Sequence, residues 1–331
     1  MESDAHRDGI HRAALARQLR ELIDDGRDAL PLPGGGRTLD RWRALARVAA
    51  QDLSLVKLFE GHTDAHATLA EAGAAPHARA SYGLWAAEPP QARVVFRRVA
   101  AGGIVLHGNK SWCSGAERLD RALLTVWDEQ GAGPWLADVD LHHPGVHIDD
   151  AAWHAVGMAA TASATVNFEA APARLIGDAG FYLSRPGFWH GGIGIAACWH
   201  GAACAVADAL RAQANTSPDP GWHRSLALGE VDRLLSANAA LLREAAAWID
   251  RHPTANARIW ALRTRAAADD CAQQVLRAAT RAMGAGPLCL DPHFGRLAAD
   301  LPVFIRQCHG DRDLAALGAD NLKEDTPPWT L

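Results

Sequence analysis

What this 331-residue chain lacks narrows its function before any motif is read. Its Lys and Arg residues are scattered, no basic stripe forms, and the net charge is −5, so a nucleic-acid partner is not expected. No apolar stretch approaches the ~20 residues that cross a bilayer, so no membrane span is expected. The first residues, Met1-Glu2-Ser3-Asp4, offer no apolar core for a secretory signal, and a cytoplasmic location is the expectation. No Cys-x-x-Cys pair occurs among Cys113, Cys198, Cys204, Cys271, Cys289 and Cys308, which read as reduced, mostly buried thiols. Tyrosine is scarce, 2 residues against 12 Trp, and tryptophan serves either as core filler or as the wall of an aromatic cofactor. There is no internal repeat and no long low-complexity run. What is present is 49% hydrophobic, which is globular, and long enough for two or three structural units.

The texture changes twice along the chain. Residues 11 to about 75 are rich in Ala, Leu and Arg at helical spacing, punctuated by Gly34-Gly35-Gly36, with Thr38 placed to cap the helix that follows. From Ser81 to about Gly180, short β-prone runs alternate with turn-formers: Val94-Val95-Phe96, Gly103-Ile104-Val105-Leu106, Leu123 to Trp127 and Thr165 to Phe168. Ala101-Gly102-Gly103 and Gly131-Ala132-Gly133-Pro134 supply turns. From Phe188 the helical pattern returns. Val231, Leu234, Leu235, Leu241, Leu242, Ala245, Trp248 and Ile249 form one apolar stripe, interrupted by Asn238. Pro253 ends that helix and Thr254 is placed to cap the next, whose own stripe is small: Ala268, Cys271, Val275, Ala279 and Ala282. The order predicts an α+β chain: N-terminal helices over 1–79, a middle antiparallel β-domain over 80–186, a C-terminal four-helix bundle over 187–318, and a tail over 319–331 that includes Pro327-Pro328.

Four segments carry more than texture. The first is Trp85-Ala86-Ala87-Glu88-Pro89-Pro90. The second is Gly108-Asn109-Lys110-Ser111-Trp112-Cys113-Ser114-Gly115-Ala116, in which the two-residue spacing of Trp112 and Ser114 puts both on one face of a strand. An aromatic wall with one hydroxyl suits a flat heterocycle with polar edges. The third is Gly157-Met158-Ala159-Ala160-Thr161-Ala162-Ser163 with the strand after it, and the fourth joins Met283-Gly284-Ala285-Gly286 to Phe304–Leu314. Together, in this order, they resemble the acyl-CoA dehydrogenase superfamily from about Leu53 to Gly318. The resemblance implies FAD as cofactor, with Trp85, Glu88, Trp112 and Ser114 along the flavin and Gly284 and Gly286 in a turn where backbone N–H groups approach it. It implies an acyl thioester or related small molecule as substrate, an electron acceptor or reductase as possible partner, and a homodimer or homotetramer. The third segment is implied to be structural, and Ala159, standing where the family has a basic residue, is given no cofactor contact.

The departures matter as much. His309 stands where the family usually places its catalytic Glu, and the other family position, near Trp189-His190-Gly191-Gly192, also lacks a carboxylate. Proton abstraction needs a base that titrates near working pH, and histidine is the side chain suited to it, so His309 is the expected base, with His190 and His200 as competitors. Flavin monooxygenases of the superfamily also use a His near this place. The family's Arg-x-x-Phe-Gly element for FAD phosphates is reduced to Arg211, followed by Ala212 through Pro218. The expectation is thus an FAD-dependent dehydrogenase of acyl thioesters, with a flavin monooxygenase or a non-catalytic binding module as alternatives. His62 and His66, four apart beside Glu60 and Asp64, have the spacing of two metal ligands on a helix, but with no third partner segment in sight a solvated helix face is expected and no metal is assigned.

Overall fold

A computed structural model describes residues 2–99, 103–131, 133–216, 221–323 and 329. The expected turn residues Ala101, Gly102 and Ala132, the Ser217-Pro218 pair and the Pro327-Pro328 tail lie outside the described residues. Two compact units form, Met1–Leu30 with Ser54–Phe188, and Pro31–Leu53 with Trp189–Leu331. The N-terminal helices expected over 1–79 are therefore shared between the two.

In the first unit, α1 (Glu2–Asp24) and α3 (Leu53–Glu71) accompany the strands β1 (Tyr82–Trp85), β2 (Val94–Arg98), β3 (Ile104–Cys113), β4 (Arg121–Asp128), β5 (Trp135–Asp140), β6 (Val146–Asp149) and β7 (Ala164–Ile176), with α4 (Phe181–Ser184) at the end. Among the described residues these seven strands make one sheet. Most pairings are antiparallel, as the short turn-separated runs predict, but β4 runs parallel to β1 and to β2. Because β4 also pairs with β5, the path β4–β2–β3–β7–β5 returns to its start and closes a ring. The strands are buried on both faces: Val94, Phe96, Leu106, Leu124, Val126, Val139, Val166 and Ala171 are buried, and Leu123 and Leu136 pack in one cluster with Ala65 and Leu69 of α3.

The second unit holds α2 (Thr38–Gln51), α5 (Gly187–Ala214), α6 (Trp222–Arg251), α7 (Arg258–Met283), α8 (Ala285–Leu290), α9 (Pro292–Phe304) and α10 (Asp311–Asn321). The α6 and α7 stripes face inward as expected. Asn238, the apparent flaw in the α6 stripe, is buried because its amide pairs with the His200 ring at 3.0 Å. Helix α5 corrects one expectation: by length and composition alone it could cross a bilayer. Its most apolar window is 61% buried in the protein, which is what a core helix requires. Small residues let α2 press onto it, since a Cβ added at Gly201 would lie 2.2 Å from the Ala46 carbonyl oxygen.

Both expected caps are corrected. Thr38 is fully buried, donates from its hydroxyl to Asp250 at 2.6 Å and accepts the Gly34 N–H at 2.8 Å, while Arg37 holds the cap position of α2. Thr254 lies short of α7, which starts at Arg258 with Asn256 Oδ1 accepting its N–H. At Thr38 a contact made far along the chain outcompetes the local one, and at α7 the nearer Asn256 takes the role expected of Thr254. Helix α10 runs three residues into the expected tail, tied by the ion pair of Asp320 with Arg258.

Candidate flavin site

The first two sequence segments meet at the end of β3. Between Lys110 and Cys113 the register against β7 slips by one residue, which is a β-bulge. Trp112 occupies the bulge at φ +63°, a region that costs a bulky residue of order 1–3 kcal/mol. The strained turn swings the indole outward, leaving it 60% exposed in a strand whose neighbours Lys110 and Cys113 are buried. Simple alternation therefore stops at the bulge. Ser114 lies beyond the strand, so the expectation that it shares a strand face with Trp112 is replaced by a tighter arrangement, its N–H bonding the Trp112 carbonyl at 3.1 Å.

The third segment supplies what the sequence did not reveal. The Ser163 hydroxyl lies 2.7 Å from that of Ser114 and 3.1 Å from that of Thr161. Met158 at φ +59° and Ala162 at φ +39° fold this turn back, and its Thr161 carbonyl accepts the Gly115 N–H at 2.8 Å. Trp153 stands edge-on to Trp112, ring centroids 6.0 Å apart at 89°, and its indole N–H reaches the Ala159 carbonyl at 3.3 Å. The result is an exposed indole face beside three clustered hydroxyls. Thr161 donates to the Met158 carbonyl at 2.8 Å, so Ser163 donates to Thr161 and Ser114 to Ser163, and the cluster offers a ligand its lone pairs. A flat ring system with polar edge atoms fits these groups.

The first segment is tied into the protein's own hydrogen bonds. Trp85 is buried, its indole N–H reaching toward the Ser114 carbonyl at 3.4 Å. Glu88 accepts from the Lys110 ammonium at 2.5 Å, from the Thr125 hydroxyl, and from the Trp127 indole at 3.3 Å. With its oxygens committed in this way, the carboxylate expected along the flavin is a partner of the protein itself. Lys110, passed over in the sequence, is fully buried, and its ammonium also donates to the Thr125 hydroxyl at 2.6 Å and carbonyl at 3.2 Å. Burial pushes its pKa below the ordinary lysine value, against the pull of Glu88. The signal was there: Lys110 is an even number of places from the inward Leu106.

The other expected residues fall in the second unit, at two separate places. Gly284, φ +74°, closes α7 and its N–H bonds the Thr280 carbonyl at 3.0 Å, the geometry of a helix C-cap. Gly286 is an ordinary helical residue of α8. His309 precedes α10, two-thirds exposed, with Nδ1 3.5 Å from Asp313 Oδ1 and its backbone N–H bonding Asp313 Oδ2 at 3.1 Å. Arg265 steadies this turn by donating to the Gln307 carbonyl at 2.5 Å and to the Gly192 carbonyl at 3.0 Å. Of the competitors, His190 is buried in α5. His200 is held between Asn238 and, at 3.6 Å, the Cys204 sulfur; burial and then the Arg243 charge lower its pKa.

The Glu60–His66 stretch is not a solvated face. Glu60, His62 and Asp64 are buried, and Asp64 and Glu71 pair with the buried Arg185. The missing third partner is Asp28, whose carboxylate lies with His62 and His66 so that one ligand atom of each falls within 4.8 Å of the others. Tautomer chemistry argues against a metal there. His62 Nδ1 accepts the Tyr82 N–H at 3.2 Å, so the ring proton sits on Nε2 and goes to Asp28 at 3.1 Å. That bond lowers the Asp28 pKa, and Nε2 has no lone pair for a cation.

No protein-family model and no curated protein matches the chain in sequence. Solved structures do match it over nearly its whole length. KijD3, solved with FMN and dTDP-3-amino-2,3,6-trideoxy-4-keto-3-methyl-D-glucose, superposes with a TM-score of 0.80 at 18% identity, covering 99% of this chain and 94% of its own. TdsC from Paenibacillus sp., solved with FMN and indole, gives 0.73 at 17% identity, covering 98% and 99%. The chain has the acyl-CoA dehydrogenase fold. Methanesulfinate monooxygenase MsuC from Pseudomonas fluorescens shares it at a TM-score of 0.71, 21% identity and 97% coverage of each chain. Within this acyl-CoA dehydrogenase fold, the closed sheet with its Trp112 bulge is the first unit and the helical bundle is the second.

Proposed function

We propose that the chain is a flavin-dependent monooxygenase that uses FMN and acts on a small molecule with an oxidisable nitrogen, sulfur or aromatic carbon. The observation that carries this reading is Trp112, turned outward by a bulge at φ +63° beside the Ser114–Ser163 hydroxyl pair, in a chain whose structural neighbours were solved with FMN. A strained, exposed tryptophan is a poor packing choice and a good ring platform. FMN is favoured over the FAD of the sequence expectation because the element expected to meet the FAD phosphates is reduced to Arg211. Monooxygenation is favoured over dehydrogenation of an acyl thioester because neither family position holds a carboxylate base.

In this reading Trp112 stacks on the isoalloxazine, the Ser114 and Ser163 hydroxyls bond its polar edge, and His309 takes a proton from the substrate heteroatom. A reduced flavin held by these residues, delivered by a separate reductase, would supply the two electrons with which one atom of dioxygen enters the substrate and the other leaves as water. Titration with FMN and FAD, followed by flavin absorbance and fluorescence, is the test. FMN should bind, and Trp112→Ala should weaken it roughly ten- to a hundredfold, the scale of one stacked aromatic ring. Binding of neither flavin ends the reading, as does full FMN affinity in Trp112→Ala.

A homodimer or homotetramer belongs to the same proposal. The C-terminal region exposes Leu288, Leu290, Val303, Leu314 and Leu322, apolar side chains that contact between copies would cover. Light scattering should give a mass of two or four chains, and a stable monomer would contradict it.

A further inference from the structure

Lys110 is a buried ammonium that the proposed chemistry does not use. It sits two residues before the strained Trp112, and three bonds fix it: to Glu88, to the Thr125 hydroxyl and to the Thr125 carbonyl. We infer that the Lys110–Glu88 pair is the clamp that holds the Trp112 bulge in shape, so that both are positioning residues for the flavin wall.

A non-glycine residue stays at positive φ only where its surroundings over-determine it. Trp112 is pinned on both sides. After it, Cys113 is buried with its thiol on the Lys110 carbonyl at 3.2 Å, and Gly115 bonds Thr161. Before it, the sole directional anchor of the β3 side chains is Lys110 among the described residues 109–111 that flank the bulge: Ser111 and Asn109 have no side-chain bond there. Glu88 is itself held from a second strand, since Thr125 and Trp127 belong to β4 and Arg93 lies over the Trp127 ring at 4.4 Å. The pair thus ties the bulge to a frame that does not bend with β3. An apolar pair of the same size would fill the space but would not fix the register, because apolar contacts have no direction. If the clamp is released, the backbone at Trp112 relaxes toward ordinary extended geometry and its indole swings away from Ser114 and Ser163.

The functional consequence rests on the flavin reading, but the clamp can be tested without it. The full chain is labelled with 5-fluorotryptophan, and the Trp112 fluorine signal is assigned with Trp112→Phe. The double variant Lys110→Met/Glu88→Leu removes both charges together, which avoids stranding either one. In that variant the Trp112 signal should move or broaden while those of Trp42 and Trp199, buried in the second unit, stay in place. FMN affinity should fall, by no more than the roughly ten- to hundredfold that loss of the Trp112 stack costs, with an altered bound-flavin spectrum. An unmoved Trp112 signal in the folded double variant would overturn the clamp, whatever the flavin result. Should the double variant fail to fold, Glu88→Gln, which keeps the shape and one acceptor, must itself move the Trp112 signal while those of Trp42 and Trp199 stay in place, and no movement there overturns the inference equally. If the wild type binds no flavin, the monooxygenase reading falls, and the fluorine shift alone decides whether the clamp exists.

Discussion

Glu88→Leu alone should cost about 3–5 kcal/mol of stability at neutral pH. The reason is asymmetry of burial. Glu88 is 30% exposed and can turn to water, whereas Lys110 is wholly buried, so deleting the carboxylate strands an ammonium that cannot be hydrated. Lys110→Met should cost less, because the Glu88 carboxylate left behind is already part-solvated. The double variant should recover most of the loss, since replacing both members of a buried pair by apolar side chains is often neutral. The pH dependence follows from the direction of the lysine shift. Burial pushes the Lys110 pKa down and Glu88 pulls it back up. Without Glu88 only the downward push remains. A lysine with a folded pKa below its unfolded value of about 10.4 destabilises the fold fully below the folded pKa, and the penalty fades as pH rises toward the unfolded one. The deficit of Glu88→Leu should therefore be largest near pH 7 and shrink at about pH 9–10. Urea unfolding of the four proteins at both pH values measures it. A loss below about 1 kcal/mol, or a deficit that grows with pH, would show that the pair does not hold the sheet as described.

The fold was legible wherever the signal is local. The strand runs at Val94, Ile104, Leu123 and Thr165 and the stripes on α6 and α7 announce themselves by period, because burial of one face is a property of neighbours in sequence. What was not legible depends on partners far along the chain. Thr38 reads as a cap until Asp250, 212 residues away, takes its hydroxyl. His62 and His66 read as a solvated face because Asp28 and Arg185, which account for the buried polar groups, come from segments with no shared pattern. Asn238 reads as a flaw because His200 lies on another helix. The same holds for the site. The aromatic and hydroxyl residues of the second segment could be picked out, but the bulge that aims Trp112 is a mismatch between β3 and β7, and a mismatch between strands cannot be seen in either one. Ser163 was in a quoted motif, yet only the αL turns at Met158 and Ala162 bring it to Ser114. Composition does not encode such a turn when the residues in it are alanine and methionine.

His309→Gln should leave the fold and flavin binding intact and lower turnover by about 10²–10⁴-fold, the usual cost of removing a general base. The structure adds to this proposal a feature absent from the sequence argument. Asp313, one helical turn on, lies 3.5 Å from Nδ1 of the imidazole and also accepts the His309 backbone N–H. A carboxylate on one ring nitrogen favours the tautomer with its proton there and leaves Nε2 as the acceptor, which is how a base is oriented by a third group. The ring is exposed and stands on a turn that Gly310, at φ +54°, and Arg265 hold in place, so substitution should not disturb the core. Two companion variants make the result specific. Asp313→Asn keeps the shape but removes the charge that selects the tautomer, and should lower turnover by less than His309→Gln does. His309→Glu supplies the carboxylate that the resemblance places here. It should rescue activity only if the reaction removes an α-proton from an acyl thioester, and should not rescue an oxygen transfer in which a heteroatom gives up its proton. Single-turnover rates with FMN, dioxygen and an identified substrate decide among these. Unchanged turnover in His309→Gln would remove His309 from the chemistry. The remaining candidates would then be His190 and His200, both of them carried by α5, and the test would pass to His190→Gln and His200→Gln.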